Sequence, residues 1–124
     1  MPASVSELLA SANAAVPKVD VNEARRLIEE EGALLVDVRD APELAAGKLQ
    51  GAVNVSRGML EFRADAGTPY HNPEFRTDRP VVLYCASGGR SALSGKTLKD
   101  MGYEAYNLGG FKDAAEAGFP TEAA

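Results

Sequence analysis

The chain has 124 residues, 45% of them hydrophobic, and a net charge of 13 − 18 = −5. That length supports one compact core and not two, no apolar run approaches the ~20 residues of a membrane-spanning helix, and the acidic balance excludes a broad nucleic-acid or anionic-membrane surface. A single cysteine excludes an internal disulfide and a cysteine-built zinc cluster, so a reducing cytoplasm is the expected compartment.

Val5, Leu8 and Leu9 suit a short amphipathic helix starting near Ser4, with Glu7 completing a capping box. Ala12-Asn13-Ala14 is small enough to mimic a cleavage site. However, no Lys or Arg precedes the apolar part and Glu7 interrupts it, so the segment reads as a helix and not a secretory leader. Pro17 ends it, which sets residues 1–16 apart as an N-terminal helical extension. Lys18 to Val21 is extended, and Asp20 caps a helix over 22–31 with Ala24, Leu27 and Ile28 on one face. Glu29-Glu30-Glu31 reads as a solvated charge run, and Gly32 stops the helix.

Ala33 to Val38 is a nearly continuous apolar run, the pattern of a strand covered on both faces. Asp37 and Arg39 fall at its carboxyl end, where open parallel sheets carry their sites; the residues themselves fit either site support or loop bracing. Pro42 to Ala46 is a short helix, and Ala52 to Val55 a short strand. Arg57 begins the next segment, as an anion ligand or a surface ion pair. Met59 to Arg63 makes a helical turn or two, with Leu60 and Phe62 facing the core or a pocket wall. Arg39, Arg57, Arg63 and Arg90 are candidates to converge on a local anion site.

Residues 64–79 are loop-like, punctuated by Gly67, Pro69, Asn72 and Pro73. A loop of this length is often functional, and this one carries His71, the only histidine. A Cys85–His71 pair would make a cysteine hydrolase, but no second motif marks His71 as an oriented base.

Val81-Val82-Leu83-Tyr84 then runs into Cys85, followed by Ala86-Ser87-Gly88-Gly89-Arg90-Ser91. Leu93, Thr97, Leu98 and Met101 follow at helical spacing. The reading is buried strand, tight loop, helix, with Cys85 aimed at a helix N-terminus. Unpaired N–H groups and the helix dipole stabilise a thiolate there. Small residues let the loop curl its N–H groups inward around an anion. Arg90 adds a permanent charge with forked donors, and Ser91 can cap the helix or donate to sulfur. The alternative is an inert buried cysteine, which the Gly-Gly-Arg-Ser sequence disfavours. Gly102 stops the helix, 103–108 is the last strand, Gly109-Gly110 turns, and a short helix spans 111–117. Residues 121–124 read as a frayed tail. Strands alternating with helices give an α/β domain with a small central parallel sheet flanked by helices.

Cys85-x4-Arg90-Ser91 on a strand–loop–helix resembles the active-site loop of the rhodanese family of sulfurtransferases. Val36 to Leu44 resembles that family's DVR-x-x-x-E segment, Gly47 to Val55 its G-H-I-x-G-A-x-N segment, and Gly109-Gly110-Phe111 its GG segment. The motifs come in the family's order and place the domain at residues 17–120. Lys48 stands where the family has a histidine, at a position that is structural in such domains. The resemblance implies a three-layer fold and single-domain sulfurtransferase activity. Cys85 would carry a persulfide within the loop Ala86, Ser87, Gly88, Gly89, Arg90 and Ser91, with Asp37, Arg39 and Arg57 in support.

It also implies a thiosulfate-like donor and a thiol, cyanide or protein acceptor, with no metal, organic cofactor, nucleic acid or membrane partner. A monomer or weak homodimer is expected, and residues 64–79 are candidates for a rim over the pocket. Two alternatives remain at this level. One is a persulfide carrier or partner-binding module without turnover. The other is a phosphatase or arsenate reductase of the related fold, whose loop has five residues between Cys and Arg against four here.

Overall fold

A computed structural model of the chain describes residues 2–124. The two apolar runs become the centre of a sheet: Leu34–Asp37 (β1) and Val81–Cys85 (β4) are buried at every position. Between them in sequence come two short strands, Lys48–Leu49 (β2) and Val53–Asn54 (β3). Ala105–Gly110 (β5) completes a four-stranded parallel sheet of order β3-β1-β4-β5.

Alternation along the strands makes two cores. Leu34, Val36, Leu83 and Cys85 face helices Leu60–Ala64 (α3) and Gly89–Asp100 (α4). Leu35, Val82 and Tyr84 face Val21–Glu31 (α2) and Phe111–Glu116 (α5). The result is the expected α/β fold, a parallel sheet between two helical layers. No described helix is long and apolar enough to cross a membrane.

The caps follow the sequence. Ser4 and Glu7 form a reciprocal capping box on Val5–Ala15 (α1), and the Glu23 N–H donates to Asp20 at the start of α2. Four expectations change. The buried stripe of α4 is Ser91, Ala92, Ser94, Gly95 and Leu98, while Leu93 and Thr97 are only half-buried. Small residues are inside because α1 lies against this helix, with Val16 seated on Gly95. Phe62 is 48% exposed and meets Tyr70 edge to face, so only Leu60 of that pair joins the core. Gly109 and Gly110 end β5 and do not turn; Phe111 opens α5 directly.

Finally, the first two residues of the expected frayed tail form a strand. Thr121–Glu122 (β6) pairs antiparallel with β2, and one Glu122 oxygen accepts from Gly51 N–H and Lys48 Nζ, both at 2.9 Å. Lys48 also donates to the Ala52 carbonyl at 2.8 Å. The departure from the family's histidine is therefore a working clasp between β2 and β6.

Candidate active site

β1 and β4 are adjacent, so their carboxyl ends bring Asp37 level with Tyr84, one residue before Cys85. Beyond Cys85 the chain curls through exposed Ala86 and Ser87 to Gly88, which has φ +101° and caps α4. A side chain at that φ is strained, so the turn is built for glycine. On the other flank, a β-carbon on Gly110 would lie 2.5 Å from the Ala86 carbonyl oxygen. The glycine pair of the last motif thus lets β5 press backbone to backbone against the cysteine loop.

Cys85 is fully buried and reduced. The Gly88 N–H donates to its sulfur at 3.0 Å, and Ser91 Oγ stands 3.5 Å away. Burial pushes the thiol pKa up. The Ser91 hydroxyl and the N–H groups of Ser91, Ser87 and Gly88 more than offset this, and the pKa lies below the ordinary thiol value. The N–H donors at the helix start are among the groups that lower it.

Ser91 does not cap α4. Its hydroxyl also lies 3.1 Å from the Gly88 carbonyl and 2.7 Å from Asn107 Oδ1. Asn107 is 3% exposed; its Nδ2 donates to Gly88 O at 3.2 Å and its Oδ1 accepts from Gly109 N–H at 3.0 Å. The register slips here, Leu83 facing Asn107 and Tyr84 facing Gly109. Such an irregularity re-aims neighbouring residues. Asn107 therefore ties the loop, α4 and β5 together. Sequence reasoning passed over it as one position in an alternating strand; its only signal is a polar residue in an otherwise buried run.

Arg90 departs from its expected task. Its Nη1 and Nη2 each donate to Glu43 at 2.7 Å, a fork-to-fork pair, and Asp40 lies 4.0 Å away. These bonds, with the Asp40 backbone N–H, lower the Glu43 pKa to about 2. The guanidinium at the loop's edge is thus held by a carboxylate and is not directed at the sulfur. Glu43 is the last residue of the DVR-x-x-x-E segment, and its role emerges only in three dimensions.

Asp37 and Arg39 form a buried pair, 0% and 3% exposed, at 2.8 Å. Arg39 also donates to the carbonyls of Glu43 (3.3 Å) and Gly47 (2.8 Å), and its guanidinium lies 4.4 Å over the Phe111 ring. Asn54 Nδ2 reaches the carbonyls of Asp37 and Arg39, both at 3.0 Å. This network holds the 3₁₀ segment Ala41–Ala46, and with it Glu43. Asp37 and Arg39 brace the loop that places Arg90's partner.

The four arginines do not converge. Arg57 donates to Glu61 at 2.8 Å and to Thr97 at 3.0 Å, which staples α3 to α4. Arg63 lines a cavity with Asp40 and Ser56. His71 Nε2 lies 3.3 Å from the Phe75 carbonyl, in a cavity with Met101 and Tyr103 beyond the carboxyl end of α4. Cys85 sits at the opposite end of that helix, so no Cys85–His71 pair exists.

A buried, donor-surrounded thiol at the carboxyl edge of a parallel sheet defines a cysteine-loop domain of the α/β class. Residues 20–117 match the model of the rhodanese-like domain, and the chain belongs to that family. It is 32% identical over 108 residues to the thiosulfate sulfurtransferase GlpE of Vibrio cholerae, covering 85% of this chain and 93% of that one. It is 42% identical over 82 residues to the uncharacterized protein YqhL of Bacillus subtilis, covering 64% of this chain and 59% of the relative's length. A solved structure from Rhodopseudomonas palustris superposes with a TM-score of 0.87 at 37% identity, covering 98% of this chain and 96% of that one. That protein is described as of unknown function and a possible tyrosine phosphatase.

Proposed function

We propose that this chain is a sulfurtransferase that carries a sulfane sulfur on Cys85. The Cys85 thiolate attacks the outer sulfur of a thiosulfate-like donor. A Cys85–S–S⁻ bond forms as the donor's S–S bond breaks, and sulfite departs with the bonding pair. A thiophilic acceptor then takes the outer sulfur and returns Cys85 as thiolate, which is ping-pong covalent catalysis. The Gly88 N–H at 3.0 Å from the sulfur is the observation that carries this reading. The same donors that lower the thiol pKa are suited to hold a persulfide anion.

Two features weigh against the phosphatase chemistry named for the Rhodopseudomonas structure. Four residues separate Cys85 from Arg90, a tighter ring than a phosphate-binding loop of five. In addition, Arg90's forked donors are occupied by Glu43.

The test is thiosulfate:cyanide transfer by the purified protein and by Cys85→Ser, with intact mass after thiosulfate alone. The expected result is thiocyanate turnover and a mass gain of about one sulfur atom, both absent in the variant. Mass gain without turnover would favour a carrier serving a dedicated partner. Neither signal, together with hydrolysis of an aryl phosphate, would overturn the proposal.

A further inference from the structure

Asn107 and Ser91 are buried beside the thiol, at 3% and 0% exposure, so their polar groups find partners within the protein. The Gly109 N–H can only donate, and the Gly88 carbonyl can only accept. Asn107 therefore turns its Oδ1 to the former at 3.0 Å and its Nδ2 to the latter at 3.2 Å. That orientation presents Oδ1 to Ser91 Oγ at 2.7 Å. An amide oxygen only accepts, so Ser91 is the donor.

The Ser91 hydroxyl has one proton and three acceptors in reach: Asn107 Oδ1 at 2.7 Å, the Gly88 carbonyl at 3.1 Å and Cys85 Sγ at 3.5 Å. The Gly88 carbonyl already takes the Ala92 N–H at 3.0 Å besides Asn107 Nδ2, which fills both its lone pairs. Asn107 and the sulfur are left as rivals. Asn107 is the nearer and better acceptor while the sulfur is a neutral thiol. A thiolate reverses the order, because a charged acceptor makes the stronger bond.

We infer that Asn107 is a positioning residue: it holds the Ser91 hydroxyl turned away from Cys85 while the sulfur is neutral and releases it when negative charge develops there. The hydroxyl turns about its Cβ–Oγ bond, its proton stays on Ser91, and no covalent bond forms or breaks. Its part in sulfur transfer rests on the sulfurtransferase reading of Cys85. Sγ gains this donor as the thiolate forms, and again as it leaves the persulfide with the bonding pair. The charged groups around the loop are Arg90 with Glu43 and Asp40, the Asp37–Arg39 pair at the end of β1, and Lys18, whose backbone bridges to Asn107. From α3, Leu60 and Ala64 join this core, and Glu61 and Arg63 are exposed. All of these stay in place when Asn107 or Ser91 is replaced.

The test is the Cys85 titration, read by thiolate absorbance in wild type, Asn107→Leu, Ser91→Ala and the double variant. Asn107→Leu is expected to lower the Cys85 pKa, and to leave it unchanged where Ser91→Ala is already present. A loop merely loosened would lose the Gly88 N–H contact and raise the pKa in both backgrounds, so sign and coupling separate the two roles. A rise, or equal shifts in the two backgrounds, overturns the inference. Should Asn107→Leu not fold, NMR of the wild type decides. The signal of the Asn107 carboxamide carbon is expected to move through the Cys85 titration, and Ser91→Ala to remove most of that movement. Movement undiminished in Ser91→Ala overturns the inference. Neither measurement uses thiosulfate, so failure to load with it sinks the sulfurtransferase reading and leaves the hydroxyl exchange to be decided by the titration.

Discussion

Arg90 and Glu43 meet fork to fork, 47 residues apart in sequence, with both N–O distances at 2.7 Å. The pair neutralises the guanidinium nearest the thiol, so Glu43 moderates the charge that Cys85 experiences. Glu43→Gln removes the negative charge and leaves Arg90 positive. The Cys85 pKa is expected to fall further, read from the pH dependence of thiolate absorbance. A rise would show that Glu43 serves only to position the loop.

The same pair has a defined pH window. Glu43 titrates at about 2 in the folded protein against a reference of 4.5. A depressed carboxyl stabilises the fold fully above its unfolded value and loses that contribution as pH falls toward the folded value. The stability difference between wild type and Glu43→Gln is therefore expected to be constant from neutral pH to roughly pH 5 and to shrink below it. Urea titrations across that range measure it.

Ser91→Ala removes the side-chain donor nearest the sulfur, 3.5 Å away. Burial is then less fully offset and the Cys85 pKa rises. Loading by thiosulfate at neutral pH is expected to slow about fivefold, the worth of one hydrogen bond, and to recover at alkaline pH. A uniform loss at every pH would point to a packing role.

Gly110→Ala places a methyl group 2.5 Å from the Ala86 carbonyl oxygen and 3.4 Å from Ser87 Cα, both backbone. Neither can swing aside, so the cysteine loop must move. The expected cost is about 1–3 kcal/mol in urea unfolding, with a larger proportional loss in the rate of persulfide loading.

Asp37→Asn leaves Arg39 charged and buried without its counter-ion. The expected destabilisation is about 3–5 kcal/mol, the usual cost of breaking a buried pair from one side. Arg39 also anchors the carbonyls of Glu43 and Gly47. The donor KM is therefore expected to change in whatever fraction remains folded, which initial-rate kinetics checks.

The central strands and the cysteine loop were legible because each lies in one continuous stretch: an apolar run for β1, and an apolar run, a cysteine, two glycines and a helix for β4 and its loop. Local caps were legible for the same reason, as with Ser4 and Glu7. Features set by distant partners were not. The inward face of α4 depends on α1 lying against Gly95, and β6 is two residues long with no periodicity to betray it. Glu43 and Asn107 acquire their tasks from Arg90 and Ser91, which lie elsewhere in the chain. The charges of Arg57 and Arg90 pointed toward an anion, and only the fold shows carboxylates already beside them.

The strand order sets β1 beside β4 although β2, β3, α3 and the long 64–79 loop separate them in sequence. The thiol comes from one half of the chain and the brace for Arg90 from the other. No short fragment contains both, and loop closure over that span comes late and slowly in folding. Persulfide loading therefore reports completion of the tertiary structure. A refolding chain should regain helical signal first and chemical competence only once its two halves have met.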